Sequence, residues 1–377
     1  MAVMETVCDL DTCMGCMACV ESCSMAAIAI VDSLEAFNAV IDQALCIKCG
    51  ACRSVCPQSN PARMRGQKFW FQGWAISDKT RSASSSGGVA ASISKEFIEK
   101  GGIVCSCAFE KGRFGFSFAD DIESVKKFAG SKYVKSDPSG CYRATKELLK
   151  KGRNVLFLGL PCQVSALKMF IGDQYSNLLV TVDLICHGTP SSRLLEIYLE
   201  QQGVSVDEVV DIQFRKKNRF QLRENERYFS SPGVCDSYLI AFLNSLSYTK
   251  GCYSCPFARR ERVADITLGD SWGTLLGVQE ARKGVSLVLC QTLKGLDLLR
   301  RSEVHLEQVD LELAIKNNQQ LTRPSAIPCS RSRFFKRIKA GENFADGVRR
   351  CLPKQCFKQD VKHLLIKFGL WRRKSEG

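Results

Sequence analysis

The chain has 377 residues, a formal net charge of +14, 45% hydrophobic residues and 21 cysteines. That length predicts two or three domains, and the apolar share suits a globular protein with a sizeable core. No run of about 18 apolar residues occurs, which argues against a membrane-spanning helix. The opening MAVMETVCDLDTCMGC lacks the basic-then-apolar pattern of a secretory leader. Many cysteines with metal-type spacing and no leader predict metal-bound thiols in a reducing cytoplasm, not a disulfide scaffold.

The first elements are two cysteine runs. CMGCMACVESC contains Cys13, Cys16, Cys19 and Cys23, and CIKCGACRSVCP contains Cys46, Cys49, Cys52 and Cys56 before Pro57. Each has the C-x2-C-x2-C-x3-C spacing of a two-cluster ferredoxin, in which three close thiolates hold one [4Fe–4S] cube and the fourth crosses to the other. This assigns cluster one to Cys13, Cys16, Cys19 and Cys56, and cluster two to Cys46, Cys49, Cys52 and Cys23. Structural zinc uses four ligands, usually in two pairs, and does not need two runs of four. One departure is Ser24 after Cys23, where the other run has Pro57; it changes a turn but removes no ligand. The residues between the runs read as short strands and a turn.

A strand is expected around Phe71–Ser77. Ser84, Ser85, Ser86, Gly87 and Gly88 then lead into a helix with Val89, Ile93 and Phe97 on one face, stopped at Gly101–Gly102. Backbone N–H groups at such a helix start can bind a phosphate oxygen, although Ser-Gly caps commonly do nothing more. Strands at 103–109 and 114–119, a short helix at 122–128 and a helix at 141–151 follow. A buried strand at 154–163 ends near Cys162, and another at 178–188 ends at Cys186-His187-Gly188; each precedes a helix. Strand-helix alternation predicts a parallel sheet with covering helices, whose ligands gather at the carboxyl ends of the strands. Cys252 and Cys255 form a C-x2-C loop, a strand over 263–273 delivers Asp270, and 284–292 reads as a further buried strand. Cys162, Cys186, Cys252 and Cys255 could converge on a third [4Fe–4S] cube, with zinc or plain core cysteines as alternatives. The other nine cysteines (8, 105, 107, 141, 235, 290, 329, 351 and 356) read as packing or incidental thiols.

The ordered motifs SSSGGV, GSKYVKSD, FLGLPCQVSALK, VDLICHGTPS, IQFRKK, CYSCPFARRERVADITLGDSWG and KGVSLVL resemble the family of the coenzyme F420 hydrogenase/dehydrogenase beta subunit, from about Gln72 to Asn318. The resemblance implies a core that binds FAD beside an iron–sulfur cluster and exchanges hydride with an external two-electron partner. In archaeal members that partner is a deazaflavin; chlorophyll-reducing plant relatives use the same core on other substrates. It further implies a flavin diphosphate cradle at Ser84–Gly88, with Lys132 near the flavin or phosphate. Cys162, Cys186, Cys252 and Cys255 become ligands of the core cluster. Asp270 becomes a flavin hydrogen-bond acceptor or a turn cap, and His187 a proton donor or a merely packed ring.

The expected class is α/β: an α+β ferredoxin module over 1–66, a mixed, largely parallel flavin-binding core over 67–325, and a basic tail over 326–377. From Arg331 onward the chain has fourteen Lys/Arg against four Asp/Glu, so most of the charge lies there. Such a tail is solvated, or meets an acidic protein or an anionic membrane surface; nucleic acid is disfavoured for want of an aromatic-interleaved basic module. The resulting expectation is a cytoplasmic iron–sulfur flavoprotein oxidoreductase whose redox partner is deazaflavin, nicotinamide or ferredoxin-linked. The alternative is an electron-carrying subunit of a larger complex, without substrate chemistry of its own. No catalytic side chain stands out beyond His187.

Overall fold

The computed structural model describes residues 5–370. The first cysteine run turns into α1 (Ala18–Ser22), an antiparallel hairpin joins β1 (Ile28–Asp32) to β2 (Phe37–Ile41), and the second run turns into α2 (Ala51–Ser54). Phe37, Ala39 and Ile41 alternate inward and pack with Cys13, Cys19 and Cys56, so the hairpin floors the cysteine loops.

The chain then enters the core through β3 (Phe69–Ala75), α3 (Asp78–Ala83), α4 (Val89–Glu99), β4 (Ile103–Glu110), β5 (Arg113–Ala119), α5 (Cys141–Lys150), β6 (Val155–Gly159), α6 (Pro161–Ile171) and β7 (Leu179–Leu184). There follow α7 (Ser192–Gln201), β8 (Ile212–Lys216), β9 (Arg219–Glu224), β10 (Arg227–Tyr228), α8 (Ser237–Leu243), β11 (Ile266–Asp270), α9 (Val278–Arg282) and β12 (Ser286–Cys290). The chain closes with α10 (Leu293–Arg301), β13 (Val304–Gln308), α11 (Leu311–Asn317), α12 (Arg331–Lys339), α13 (Phe344–Cys351) and α14 (Pro353–Lys367).

One sheet has the order β13-β3-β12-β11-β7-β6-β4-β5. Its central strands β4, β6, β7 and β11 pair in parallel, and the pairs outside them are antiparallel. The mixed α/β class is as the sequence led us to expect, with parallel pairing concentrated at the centre. Both faces are covered, which is why Val155–Phe157 and Leu287–Cys290 are apolar throughout. Val89, Ile93 and Phe97 of α4 join Leu296 and Leu299 of α10 over Val104, Leu156 and Val182. Tyr142 and Leu149 of α5 and Val164 and Leu167 of α6 pack against Val155, Phe157 and Leu179 from the other side. The expected strand over 154–163 is shorter, because Pro161 starts α6; its fixed φ and missing N–H suit the first helical turn. Cys162 therefore sits on a helix start just past a strand end.

A second, three-stranded antiparallel sheet, β10-β9-β8, holds the IQFRKK motif and was not anticipated as strands. It packs through Phe214 and Leu222 against Leu194 and Tyr198 of α7, and Tyr238 of α8. The same cluster takes in Phe334, Phe335 and Ile338 of α12 and Phe344 and Val348 of α13. The basic C-terminal segment is thus folded onto the core through α13, with Phe357, Leu364 and Phe368 at its end exposed. No helix among the described residues is long and apolar enough to cross a membrane.

The ferredoxin module is bonded to the rest along its length. Tyr142 Oη donates to the Cys16 carbonyl at 2.8 Å, Arg143 N to Glu21 Oε2 at 2.9 Å, and Ala62 N to Ser165 Oγ at 2.8 Å. Lys250 pairs with Asp11 at 2.9 Å, and Ser191 Oγ donates to Asp32. Arg331 of α12 donates to the Glu35 and Tyr248 carbonyls, and Lys339 pairs with the Glu35 carboxylate.

Candidate functional site

The two cysteine runs fold alike. Gly15 N donates to Cys13 Sγ at 3.4 Å, and Lys48 N donates to Cys46 Sγ at 3.4 Å. In the first run Gly15 and Met17 are left-handed, with φ of 60° and 62°; in the second Lys48 and Gly50 are, at 57° and 76°. Each loop needs two left-handed residues to wrap its thiols inward, and each has glycine at only one of them.

Their surroundings differ. Cys13, Cys16, Cys19 and Cys56 are 6–7% exposed. Burial pushes the Cys19 thiol up to about 12, and Cys16 is raised by the same cause. Cys8, outside both runs and expected to be incidental, lies close enough to Cys13 and Cys56 for them to perturb its thiol, whose pKa is raised. By contrast, Cys23, Cys46, Cys49 and Cys52 line a cavity at the surface together with Met25, Ile28, Ile41 and Ile47, and Cys49 is exposed. The crossing of Cys23 to the second run and of Cys56 to the first is what the spacing leads us to expect. Both donor sets fit cubes: each gathers four soft thiols, with backbone N–H groups aimed at sulfur.

Cys162, at the start of α6, and Cys186, just past β7, stand at carboxyl ends of parallel strands. Cys252 lies in a 3-10 turn over Lys250–Ser254, and Cys255 follows it. These thiols face one another: Cys252, Cys162 and Cys255 act electrostatically on Cys186, and Cys162 and Cys252 on Cys255. Burial raises Cys255 to about 12. Cys162 in turn acts on Cys16 and packs in the same cluster, so the group adjoins the first cysteine run. No three His, Cys, Asp or Glu side chains among the described residues are grouped tightly enough for a single ion. A cube spaces its thiolates more widely than one ion does, and four mutually facing thiols suit it.

Two buried cations frame this group. Lys135, 6% exposed, faces Cys162, Cys252, Cys186 and Cys16. Burial alone would push its ammonium down; the sulfurs overcome this and carry it up to about 12. Arg262 binds the loop after Cys255 to the strand before Cys186. It donates to the Phe257 carbonyl at 2.6 Å and the Leu184 carbonyl at 2.9 Å, and pairs at 3.3 Å with Asp183, which is fully buried.

At the same end of the sheet, Ser84–Gly88 runs from α3 into α4. Gly87 has to be glycine: a Cβ would meet the Gly73 carbonyl oxygen at 2.4 Å. Gly88 is the left-handed N-cap of α4, and no side chain caps that helix, so its first N–H groups are left for another acceptor. Ser84 Oγ donates to the Thr80 carbonyl, Ser85 Oγ accepts from Ser131 N at 2.9 Å, and Ser86 Oγ donates to the Val285 carbonyl. Arg215 and Lys217 reach the loop from β8 and its turn. Arg215 donates to the Ser85 carbonyl at 2.9 Å and to both oxygens of Asp270 at 2.7 and 3.0 Å. Lys217 donates to the Ser86 carbonyl at 2.7 Å and to that of Arg81. Burial, then the neighbouring Arg81 and Arg215, lower the Lys217 ammonium to about 8. An uncapped helix start beside crowded cations fits an anionic group such as a flavin diphosphate.

Of the other expected residues, Lys132 sends its ammonium to the Phe128 and Ala129 carbonyls at 2.8 and 2.9 Å. Asp270 is held by Arg215. His187 reaches solvent at one edge; crowding lowers its pKa, while Asp270 and Arg215 act in opposite directions. Sequence reasoning missed Lys135, Arg262, Arg215 and Lys217, although all four lie within the GSKYVKSD, IQFRKK and CYSCPFARRERVADITLGDSWG motifs.

Residues 152–312 match the family model for the C terminus of the coenzyme F420 hydrogenase/dehydrogenase beta subunit, and residues 12–60 match that of a 4Fe-4S dicluster domain. The first match contains Cys162, Cys186, Cys252, Cys255 and Asp270 but neither Ser84–Gly88 nor Lys132; the second contains all eight ferredoxin-type cysteines. Among curated proteins, the chain is 23% identical over 223 residues to the F subunit of the F(420)H(2) dehydrogenase of Methanosarcina mazei, a match to 55% of this chain and 62% of that one. The match thus spans less than two thirds of the relative. Among solved structures, it is similar to a chain of the F420-reducing [NiFe] hydrogenase complex from Methanosarcina barkeri, at 18% identity and a TM-score of 0.45, over 68% of this chain and 91% of that one. The chain thus joins a segment that matches a 4Fe-4S dicluster domain to one that matches the C-terminal region of the coenzyme F420 hydrogenase/dehydrogenase beta subunit.

Proposed function

We propose that the protein passes electrons between a two-electron redox partner and ferredoxin-type [4Fe–4S] clusters, using FAD and a third cube in its core. The observation that carries this reading is the continuity of thiol groups. Cys162, Cys186, Cys252 and Cys255 adjoin Cys16 of the buried ferredoxin site, and the partner ferredoxin site opens at the surface. Clusters move electrons singly and hydride partners move pairs; a bound flavin would supply the conversion.

The chain's residues would act by binding and by setting the local field. Ser84–Gly88 and the start of α4 would hold the flavin phosphates, with Lys217 supplying charge. Arg215 fixes Asp270 beside the loop. Cys13, Cys16, Cys19 and Cys56 would hold cluster one away from water, and Cys23, Cys46, Cys49 and Cys52 would hold cluster two at the exit. The two-electron partner is a deazaflavin by analogy with the Methanosarcina relative, or a nicotinamide- or ferredoxin-linked system. An acidic carrier fits the basic C-terminal region, and a cytoplasmic setting fits cluster chemistry.

A second reading is an electron-transfer subunit of a complex without its own substrate chemistry. It is favoured by the Ser85 and Ser86 carbonyls and Asp270, whose hydrogen bonds are already met within the chain. Anaerobic purification, flavin release on denaturation and an iron count test both. FAD with about twelve irons supports the full scheme, and about eight irons demotes the core site. Clusters without flavin, even after FAD is offered, leave only the carrier. Turnover of reduced deazaflavin or nicotinamide by the isolated chain then separates the enzyme from the carrier.

A further inference from the structure

Lys135 lies in the extended segment that follows Lys132, three residues earlier. The backbone around it is pinned on both sides. Lys135 N donates to the Pro190 carbonyl at 2.9 Å, and Ser136 Oγ accepts from Gln163 Nε2 of α6 at 3.0 Å. Val134 is buried in the cluster that holds α7 and α8. The side chain therefore has little freedom to swing to solvent. Lys132, by contrast, satisfies its ammonium on two carbonyls at a helix end. No carboxylate pairs with Lys135 among the described residues, and the charged groups that act on it most strongly are Cys162, Cys252, Cys186 and Cys16. A buried lysine costs folding free energy unless its charge is offset, and the bonds of Ser136 to Gln163, next to Cys162, and of Lys135 N to Pro190, four residues past Cys186, set it among the core sulfurs that can offset it.

We propose that Lys135 is the counter-charge of the core thiol group, a positioning residue that sets the reduction potential of the cube held by Cys162, Cys186, Cys252 and Cys255. This rests on the third-cube reading above. Four thiolates give such a cube net negative charge, and reduction adds one electron and one more negative charge. A fixed ammonium among the ligands favours the reduced form, so the core site accepts an electron more readily than the same thiols would alone. Because Lys135 also faces Cys16, it acts more weakly on cluster one. No proton need accompany the electron.

The test is a redox titration of the anaerobically purified full chain, followed by electron paramagnetic resonance, with an iron count on every sample. The core signal is the one lost in Cys252→Ala. In Lys135→Met, about twelve irons should remain, and the reduced-to-oxidised ratio of the core signal at fixed potential should fall on the order of tenfold, or about 59 mV. The cluster-two signal should not move. Lys135→Arg should keep the wild-type ratio. An unchanged core potential in Lys135→Met with all irons present overturns the role of Lys135 and leaves the third cube standing. About eight irons in the wild type overturns both. If Lys135→Met loses the core irons, their retention in Lys135→Arg shows that charge is what the site needs. Loss from both variants reduces Lys135 to packing and overturns the inference.

Discussion

The two ferredoxin-type sites share spacing, N–H···S bonds and paired left-handed residues, yet one is sealed and the other open. Cys13, Cys16, Cys19 and Cys56 are buried, with Cys16 packed beside Tyr142 and Cys162, whereas Cys49 is exposed beside Ile47 and Met25. Ligand spacing specifies a cube; what packs outside the loop decides how much water the cube meets. Since exposure and hydrogen bonding tune cluster potential, near-identical motifs need not give equal potentials.

The largest effect should come from removing one ligand on each side of this contrast. Cys19→Ala should yield largely insoluble protein, because cluster one sits within the packed junction. Cys49→Ala should stay soluble and lose about four irons, as solubility and iron assays would show. If both variants were equally soluble, burial would not separate the sites. Outside both runs, Arg262→Ala leaves Asp183 buried without its cation and should cost about 3–5 kcal/mol in chemical denaturation. It should also loosen the Cys252–Cys255 loop while sparing the ferredoxin-type clusters.

Tyr142→Phe strips the Cys16 carbonyl of its buried donor. The expected loss is about 1–3 kcal/mol, with the spectrum of cluster two unchanged. A smaller pair of opposite effects should come from the left-handed positions. Met17→Gly relieves strain and should gain about 0.5–1 kcal/mol after the entropy cost of glycine. Gly50→Ala should lose about 1 kcal/mol from backbone strain alone, because nothing lies within 4 Å of its added Cβ. The subtlest contrast is in pH. Burial raises Cys16 and Cys19, so these sites hold their protons until iron displaces them. Iron loading at cluster one should strengthen as pH rises, by roughly tenfold per unit for each proton released. Reconstitution followed across pH 6–9 (about three units) reads the slope.

Much of this was legible in the chain. The placing of Cys56 with Cys13 and Cys19, and of Cys23 with Cys46, Cys49 and Cys52, follows from spacing, and the β6–α6 and β7–α7 units follow from apolar runs ending in helix starts. The facing of Cys162, Cys186, Cys252 and Cys255 was legible as a possibility because strand ends gather at one edge. Lys135 was not: lysine in a short polar motif reads as surface, and only the packing of Val134 and Ser136 turns it inward. Arg215 and Lys217 were hidden because IQFRKK pairs with β9 through a local turn, and its contacts with Ser85 and Ser86 join residues some 130 positions apart. Folding of α12 and α13 onto the core was likewise obscured by the charge around Phe334, Phe335 and Phe344.

The clasp between Arg331 and Glu35 bears on how the protein is made. These residues are 296 positions apart, so the hairpin beside cluster one leaves the ribosome long before the helix that fastens it. The hairpin is made early and clasped late. Until α12 has been made, Glu35 lacks its partners on that helix, so this side of the hairpin is fastened only after the Tyr142 and Lys250 segments that also hold the module have been synthesised.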